Sequence, residues 1–123
     1  MEHEPDLPDP DAPERIRRAK DDAARSAQEL TRQWKHIVEA SEFTNNDDEH
    51  DPEGPTIAYE REQVRSLLDH AQRELEGLDL AADRLRRGTY WTCERCGGAI
   101  APARLAARPT ARTCIRCARR TDP

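Results

Sequence analysis

All four cysteines of the chain lie in TCERCGGAIAPARLAARPTARTCIRCARR, residues 92–120, as two Cys-x-x-Cys pairs separated by 17 residues. Each pair can present two thiolates on one side of a tight turn, and two such turns complete a tetrahedron of sulfurs around a metal ion with bonds of about 2.3 Å. The predicted ligands are Cys93, Cys96, Cys114 and Cys117. Because the protein would fill all four positions, the spacing predicts a structural zinc ion with no place for water or substrate.

Other uses of these cysteines stay open on spacing alone. Iron in a four-sulfur site has the same ligand set. A thioredoxin-like redox pair needs one Cys-x-x-Cys motif on a βαβ scaffold, whereas this chain has two motifs and no alternation of strands and helices. Gly97, directly after the first pair, is expected to let the backbone turn so that N–H groups point at sulfur.

Two segments before the cysteines carry apolar residues at heptad spacing. The first begins at Glu14 and the second runs from about Thr56 to Arg87. An isolated amphipathic helix gains little stability in water, so we expect the two helices to pack on each other as an antiparallel coiled-coil hairpin. The apolar stripe of the first segment is formed by Ile16, Ala23, Ala27, Leu30, Trp34 and Ile37, and that of the second by Ile57, Val64, Leu68, Ala71, Leu75, Leu78, Ala82 and Leu85.

The predicted fold class is therefore mainly α, in three parts. Residues 1–13 hold four prolines and five acidic residues, a composition typical of a disordered arm. Residues 14–88 form the hairpin, with an acidic tip at 42–55, and Gly88 is expected to end its second helix. Residues 89–123 form the zinc finger, which has almost no apolar core of its own and should depend on the metal for folding.

The tip sequence SEFTNNDDEHDPEGPT, residues 41–56, contains six acidic residues and neither Lys nor Arg. Pro52 and Pro55 oppose a continuous helix, so the stretch is expected to turn the chain between the two helices. Most runs of charge are solvated surface, and this interpretation applies here as well. The position at the end of a hairpin favours the alternative, in which the carboxylates are presented to a partner.

Composition excludes several functions. Charge is uneven, because residues 84–123 contain ten of the 20 basic residues but only two of the 25 acidic ones. The two ends of the chain should therefore meet different partners or different faces of one partner.

No apolar run approaches the roughly 20 residues that cross a bilayer, and the first residues lack the pattern of an export signal, so we expect a cytoplasmic protein without membrane contact. Enzymatic activity is not expected, since the chain offers no nucleophile–base pair and no open metal position.

Residues 88–117, GTYWTCERCGGAIAPARLAARPTARTCIRC, closely resemble the zinc finger of the DksA/TraR family of transcription regulators. The shared features are a Gly-x-Tyr start, the cysteine spacing, and an Arg-Leu-x-Ala-Arg-Pro segment before the third cysteine. The matching positions here are Gly88, Tyr90, Arg104, Leu105, Ala107, Arg108 and Pro109. The family also has a helical hairpin before the finger, which the heptad pattern predicts independently.

The resemblance implies a protein that binds bacterial RNA polymerase directly, with the hairpin in the secondary channel and acidic tip residues near the active site. The best-known members carry Asp-x-x-Asp-x-Ala at the tip; here Asp48 and Asp51 have that spacing, and Glu53 stands in the place of Ala. Arg104 and Arg108 are the candidate partner contacts of the finger. The candidate tip residues are Asp47, Asp48, Glu49, Asp51 and Glu53.

Two other functions fit the same sequence. The arginine-rich end could bind nucleic acid, or the hairpin could serve as an adaptor for another helical protein. Direct DNA binding is not expected, because the stretch has few aromatic residues for stacking and no recognition helix. We expect a monomer with no small-molecule substrate.

Overall fold

The computed structural model of the protein describes residues 8–44 and 54–120. The mainly α fold class and the four-cysteine finger predicted from the sequence are confirmed. Across the described ranges, pairing between extended residues is limited to one antiparallel bridge, Thr92 with Ala99. The regular structure consists of α1 (Ala12–Thr44), α2 (Gly54–Arg87), α3 (Pro102–Ala107) and α4 (Ile115–Arg119).

The chain divides into two compact units. The first, here called the finger unit, comprises Met1–Asp21 and Glu76–Pro123. The second, the hairpin unit, is Asp22–Leu75. Each unit contains part of α1 and part of α2, so the fold of each depends on pairing between these two helices.

Pairing in the hairpin unit is antiparallel. Ala24 and Ala27 on α1 line one cleft together with Leu75 on α2. Further along α1, Ile37 lines a second cleft with Val64, which lies eleven residues earlier in α2. Val64 and Ala71 of the predicted stripe are buried, and the other stripe residues of this unit are half-buried. Several stripe positions are alanine, whose small side chain has little surface to bury. This accounts for the modest burial.

Trp34 was predicted to pack within the hairpin, and it does. Its ring is half-buried, and the guanidinium carbon of Arg61 on α2 lies 5.5 Å from the ring centroid. A cation over an aromatic face at this distance is attracted by the ring quadrupole. The contact joins α1 to α2 in the hairpin unit.

The finger unit has one apolar core, to which both helices and the cysteine-containing segment contribute. Ile16 from α1 and Ala81 from α2 pack with Tyr90 and Ile100 of the finger. The finger therefore has little apolar core of its own, as predicted, because the ends of the two helices complete it. The buried members are Ala12, Ile16, Ala81, Tyr90, Cys93, Ile100, Leu105 and Cys117.

The first helix begins earlier than the heptad pattern indicates. The pattern begins at Glu14, whereas α1 begins at Ala12, whose side chain is buried in the core of the finger unit. Pro13 is tolerated in the first turn, where its missing N–H has no helical partner to lose. Just before the helix, the carboxylate of Asp9 accepts a hydrogen bond of 3.0 Å from the N–H of Asp11 and pairs with Arg15. Residues 1–7 of the expected acidic arm lie outside the described residues.

Gly88 ends α2, as predicted. Its φ of +78° is a left-handed conformation that costs other residues energy. Two hydrogen bonds close the helix end: Thr89 N–H donates to the carbonyl of Arg84 at 2.9 Å, and Gly88 N–H donates to that of Leu85 at 3.2 Å. This is the Schellman pattern. It fixes the direction in which the chain leaves α2 and enters the finger.

Leu78 and Leu80 of α2 offer a matched test of packing. Leu78 is 0% exposed and Leu80 is 38% exposed. We expect Leu78→Ala to lower the free energy of unfolding by about 2–5 kcal/mol, because it removes a buried side chain and leaves a cavity. Leu80→Ala should cost far less on the same helix. Denaturant titration followed by far-UV circular dichroism measures both, and equal losses would contradict the assigned burial.

Candidate metal centre

The four cysteine sulfurs converge on one point of the finger. The Sγ atoms of Cys93, Cys96, Cys114 and Cys117 all lie within 4.8 Å of one another. The Sγ atoms of Cys96 and Cys114 are 3.8 Å apart. A tetrahedron with zinc–sulfur bonds of 2.3 Å has edges of about 3.8 Å, so the cluster has the size that zinc requires. This set of ligands, predicted from the spacing, is a four-sulfur site for structural zinc.

The first pair is held by a turn that directs backbone N–H groups at sulfur. The N–H of Cys96 donates to Sγ of Cys93 at 3.5 Å, and that of Gly98 donates to Sγ of Cys96 at 3.4 Å. Gly97 between them has φ of +76°, which only glycine adopts without strain. The N–H of Cys93 closes the turn on the carbonyl of Gly98 at 2.7 Å. The role expected of Gly97 is confirmed.

The second pair lies at the start of α4. Cys114 is extended and immediately precedes the helix, and Cys117 is within it and buried. The N–H of Ala118 donates to the carbonyl of Cys114 at 2.9 Å, which fixes the helical turn between the two thiols. One cysteine before a helix and one a turn later point to the same side. The short helix thus presents the second half of the tetrahedron.

Protonation of the thiols shows why the site needs a cation. Backbone N–H donors, that of Cys96 foremost, lower the pKa of Cys93 to about 6, and the N–H of Cys117 foremost lowers the pKa of Cys114. Burial, together with hydrogen bonds that the Cys117 thiol donates to the neighbouring cysteine sulfurs, raises the pKa of Cys117 to about 12. Four thiolates this close repel one another, so without a cation they do not all ionise near neutral pH. A bound divalent ion removes that repulsion and deprotonates coordinating thiols.

The 17 residues between the pairs are tied to the site by hydrogen bonds. The hydroxyl of Tyr90, whose ring is buried, donates to the carbonyl of Pro109 at 3.0 Å. Nε of Arg104 donates to the carbonyl of Thr113 at 2.9 Å. Leu105 on α3 is buried in the same core. These contacts give a structural role to four residues of the sequence pattern that carries the family resemblance: Tyr90, Arg104, Leu105 and Pro109.

The candidate partner-binding residues of the finger, Arg104 and Arg108, differ in burial. Arg104 is half-buried and uses its Nε within the finger, whereas Arg108 is exposed on the surface. The tip candidates Asp47, Asp48, Glu49, Asp51 and Glu53 lie outside the described residues.

Arg84 of α2 has a structural role beside the finger that the sequence analysis did not predict. Its side chain is 9% exposed and donates to the carbonyls of Thr89 at 2.9 Å and Thr92 at 2.7 Å. It therefore holds the chain between α2 and the first cysteine. The sequence around Arg84 gives no signal of this role. Both acceptors are backbone carbonyls, which every residue has, so no partner side chain marks the contact.

Neither α1 nor α2 is long and apolar enough to cross a membrane, and the same holds for the other helices in the described part of the chain.

The fold and the site define a helical hairpin that carries a closed four-cysteine zinc finger. Residues 87–123 match the model of the prokaryotic dksA/traR C4-type zinc-finger family. The family resemblance drawn from the sequence is thereby confirmed.

Two curated relatives match parts of the chain. An uncharacterized protein of Aquifex aeolicus (strain VF5) is 35% identical over 66 residues, which is 54% of this chain and 46% of that protein. The uncharacterized protein YlyA of Bacillus subtilis (strain 168) is 39% identical over 59 residues, 48% of each chain. The matched part thus spans about half the length of these relatives.

A solved structure of the transcription factor DksA2 from Pseudomonas aeruginosa has a similar fold. Its TM-score is 0.57 at 24% sequence identity, and the match covers 97% of this chain and 89% of that one. At this identity the likeness shows the fold alone.

Removal of zinc should affect the two tryptophans differently. Trp91 packs against the core that contains Cys93 and Cys117, whereas Trp34 lies in the hairpin unit. In a Trp34→Phe variant, which leaves Trp91 as the reporter, a strong chelator should shift the emission to the red as the core opens. In Trp91→Phe the emission of Trp34 should hardly change, and most far-UV helicity should persist.

The zinc content of the untreated protein should be one per chain, and adding zinc back should restore the Trp91 signal. An unchanged Trp91 emission after the metal has been removed would contradict the structural role of the ion.

The two hydrogen bonds of Arg84 should contribute measurably to the free energy of unfolding. We expect Arg84→Met to lower the free energy of unfolding by about 1–3 kcal/mol, since a charged donor to two carbonyls is lost. Arg86→Met is the control on the same helix, because the exposed Arg86 side chain makes only a surface ion pair with Asp83. Thermal or denaturant unfolding of the zinc-loaded proteins compares them, and similar stabilities for the two variants would refute the role of Arg84.

Proposed function

We propose that the protein is a cytoplasmic transcription regulator that binds bacterial RNA polymerase directly and places its acidic tip in the secondary channel. The observation that carries this proposal is the match of residues 87–123 to the dksA/traR zinc-finger family. The fold shared with the transcription factor DksA2 over 97% of the chain supports it. The cysteines fill the whole coordination sphere of the metal, which supports a role in binding and not in catalysis.

The charge of the connecting segment supports the placement of the tip. α1 ends at Thr44 and α2 begins at Gly54, and residues 45–53 between them include Asp47, Asp48 and Asp51. Carboxylates delivered near a catalytic Mg²⁺ or near basic elements of the polymerase would alter the stability of initiation complexes by direct electrostatics. This mechanism needs no cofactor chemistry and no second protomer.

The test is binding of the purified protein to RNA polymerase core, with transcription from a defined promoter measured in parallel. We expect binding to persist at physiological salt. A triple variant of the tip, Asp47→Asn with Asp48→Asn and Asp51→Asn, should abolish the effect on transcription and leave binding largely intact, because only the charge near the active site is lost.

A matched control removes the same charge elsewhere. Glu62→Gln, Asp69→Asn and Glu76→Gln change three exposed residues of α2 and should leave both binding and transcription as they are. Absence of polymerase binding by the unaltered protein would end the proposal. An equal effect of the two triple variants would show that net charge, and not the tip, is what matters.

Nucleic-acid binding is the second candidate, and the arginines of the finger favour it. Arg108, Arg116 and Arg119 are exposed, and no acidic partner stands beside them among the residues that the structure describes. Against it, Tyr90 is buried and Trp91 packs on the core, so neither is free to stack on a base. Binding to duplex DNA that survives physiological salt would favour this candidate, whereas loss of binding as salt rises indicates nonspecific attraction to phosphates.

A further inference from the structure

A cavity of about 580 Å³ opens beside the metal centre. Three of the four cysteines, Cys96, Cys114 and Cys117, form part of its wall. A zinc ion bound between these sulfurs, which lie within 4.8 Å of one another, would fill part of this space. The rest of the cavity lies outside the coordination sphere and is bounded by residues that do not bind the metal. These include Ala99, Ala101, Arg104, Ile115, Arg116 and Arg120.

One wall of the cavity is tied to the rest of the finger by a hydrogen bond at each end. This wall, residues 113–120, contains the second cysteine pair and α4. At its start the carbonyl of Thr113 accepts a hydrogen bond from Nε of Arg104 at 2.9 Å. At its end the carbonyl of Arg120 accepts one from a terminal nitrogen of Arg95 at 3.0 Å. A groove fixed in this way loses little conformational entropy when it is filled.

The lining combines positive charge with apolar surface. Arg104, Arg116 and Arg120 line the cavity, and none of the lining residues within the described ranges 8–44 and 54–120 is acidic. Ile115 at the same wall is 53% exposed, although it is a large apolar residue within a folded helix. Neither Arg116 nor Arg120 makes an ion pair with an acidic residue in the described part of the chain.

We propose that this groove binds a segment of a protein in which a carboxylate side chain stands next to a large apolar one. The carboxylate pairs with the guanidinium groups, and the apolar side chain covers Ile115. The segment belongs to the surface of the RNA polymerase, so the inference rests on the function proposed above and adds a second contact to that of the hairpin tip.

The observations favour a protein segment over a nucleic acid. Phosphate contacts need arginines but gain nothing from an exposed isoleucine and two alanines. A bound single strand would also need a free aromatic side chain, and the aromatic rings of the finger are taken up by its core. Interfaces between proteins, by contrast, combine arginine with apolar side chains at their centre.

Arg119 and Arg120 provide adjacent positions for the test. Both are exposed, but only Arg120 lines the groove. We expect Arg120→Glu to weaken binding to RNA polymerase core at least about tenfold, because it places a negative charge against the carboxylate of the partner. Arg119→Glu, with the same change of charge one residue away, should weaken binding less than about twofold. Ile115→Ser should weaken it several-fold without changing net charge.

The measurement is the Kd for polymerase core of the zinc-loaded full chain at physiological salt, with duplex DNA as a second titrant. One zinc per chain in each variant verifies that the finger is folded. Equal effects of Arg119→Glu and Arg120→Glu, while the unaltered protein binds, would overturn the groove and leave the proposed function standing. An Arg120→Glu variant that loses affinity for DNA but not for polymerase would likewise overturn it. If the unaltered protein does not bind polymerase, both proposals fail.

Discussion

The attraction between one divalent cation and four thiolates is the interaction on which the finger depends. Two of the ligands, Cys93 and Cys117, are also buried members of the apolar core. Coordination and packing are therefore not separate sources of stability in this unit. The backbone donors of the first turn lower the pKa of Cys93 but cannot compensate four negative sulfurs, so the cation is what allows the two Cys-x-x-Cys turns to approach.

Heptad spacing and cysteine spacing were sufficient to predict most of the fold. Val64, Ala71 and Leu78 are buried as the stripe on α2 requires, because these positions face α1 in any antiparallel pairing. The same spacing could not predict that Ala81 is buried. It lies off the stripe and faces the finger, whose position against the helices is not encoded in a helical period.

The contacts that hold the finger in place were also beyond prediction. Gly77 is an example: a Cβ at this position would lie 3.0 Å from Cγ2 of Thr110, so a larger residue on α2 would require Thr110 of the finger to move by a few tenths of an ångström. A glycine inside a helix usually lowers its stability, and nothing in the local sequence explains the exception. Of the candidate site, the zinc ligands followed from their spacing. The groove could not be predicted from spacing. Its lining residues come from both sides of the finger and meet only when the metal has brought the two cysteine pairs together.

The core shared by Ala12, Ile16 and the finger has a consequence for biosynthesis. These two residues leave the ribosome early, whereas Cys117, which packs in the same core, is made about a hundred residues later. The unit cannot close while the chain is still being extended through the finger, so its contacts are long-range ones that form slowly. Until then the first turns of α1 must wait with their apolar side chains uncovered. Capture of zinc by the newly made cysteines is thus the event that lets the first turns of α1 reach their final packing.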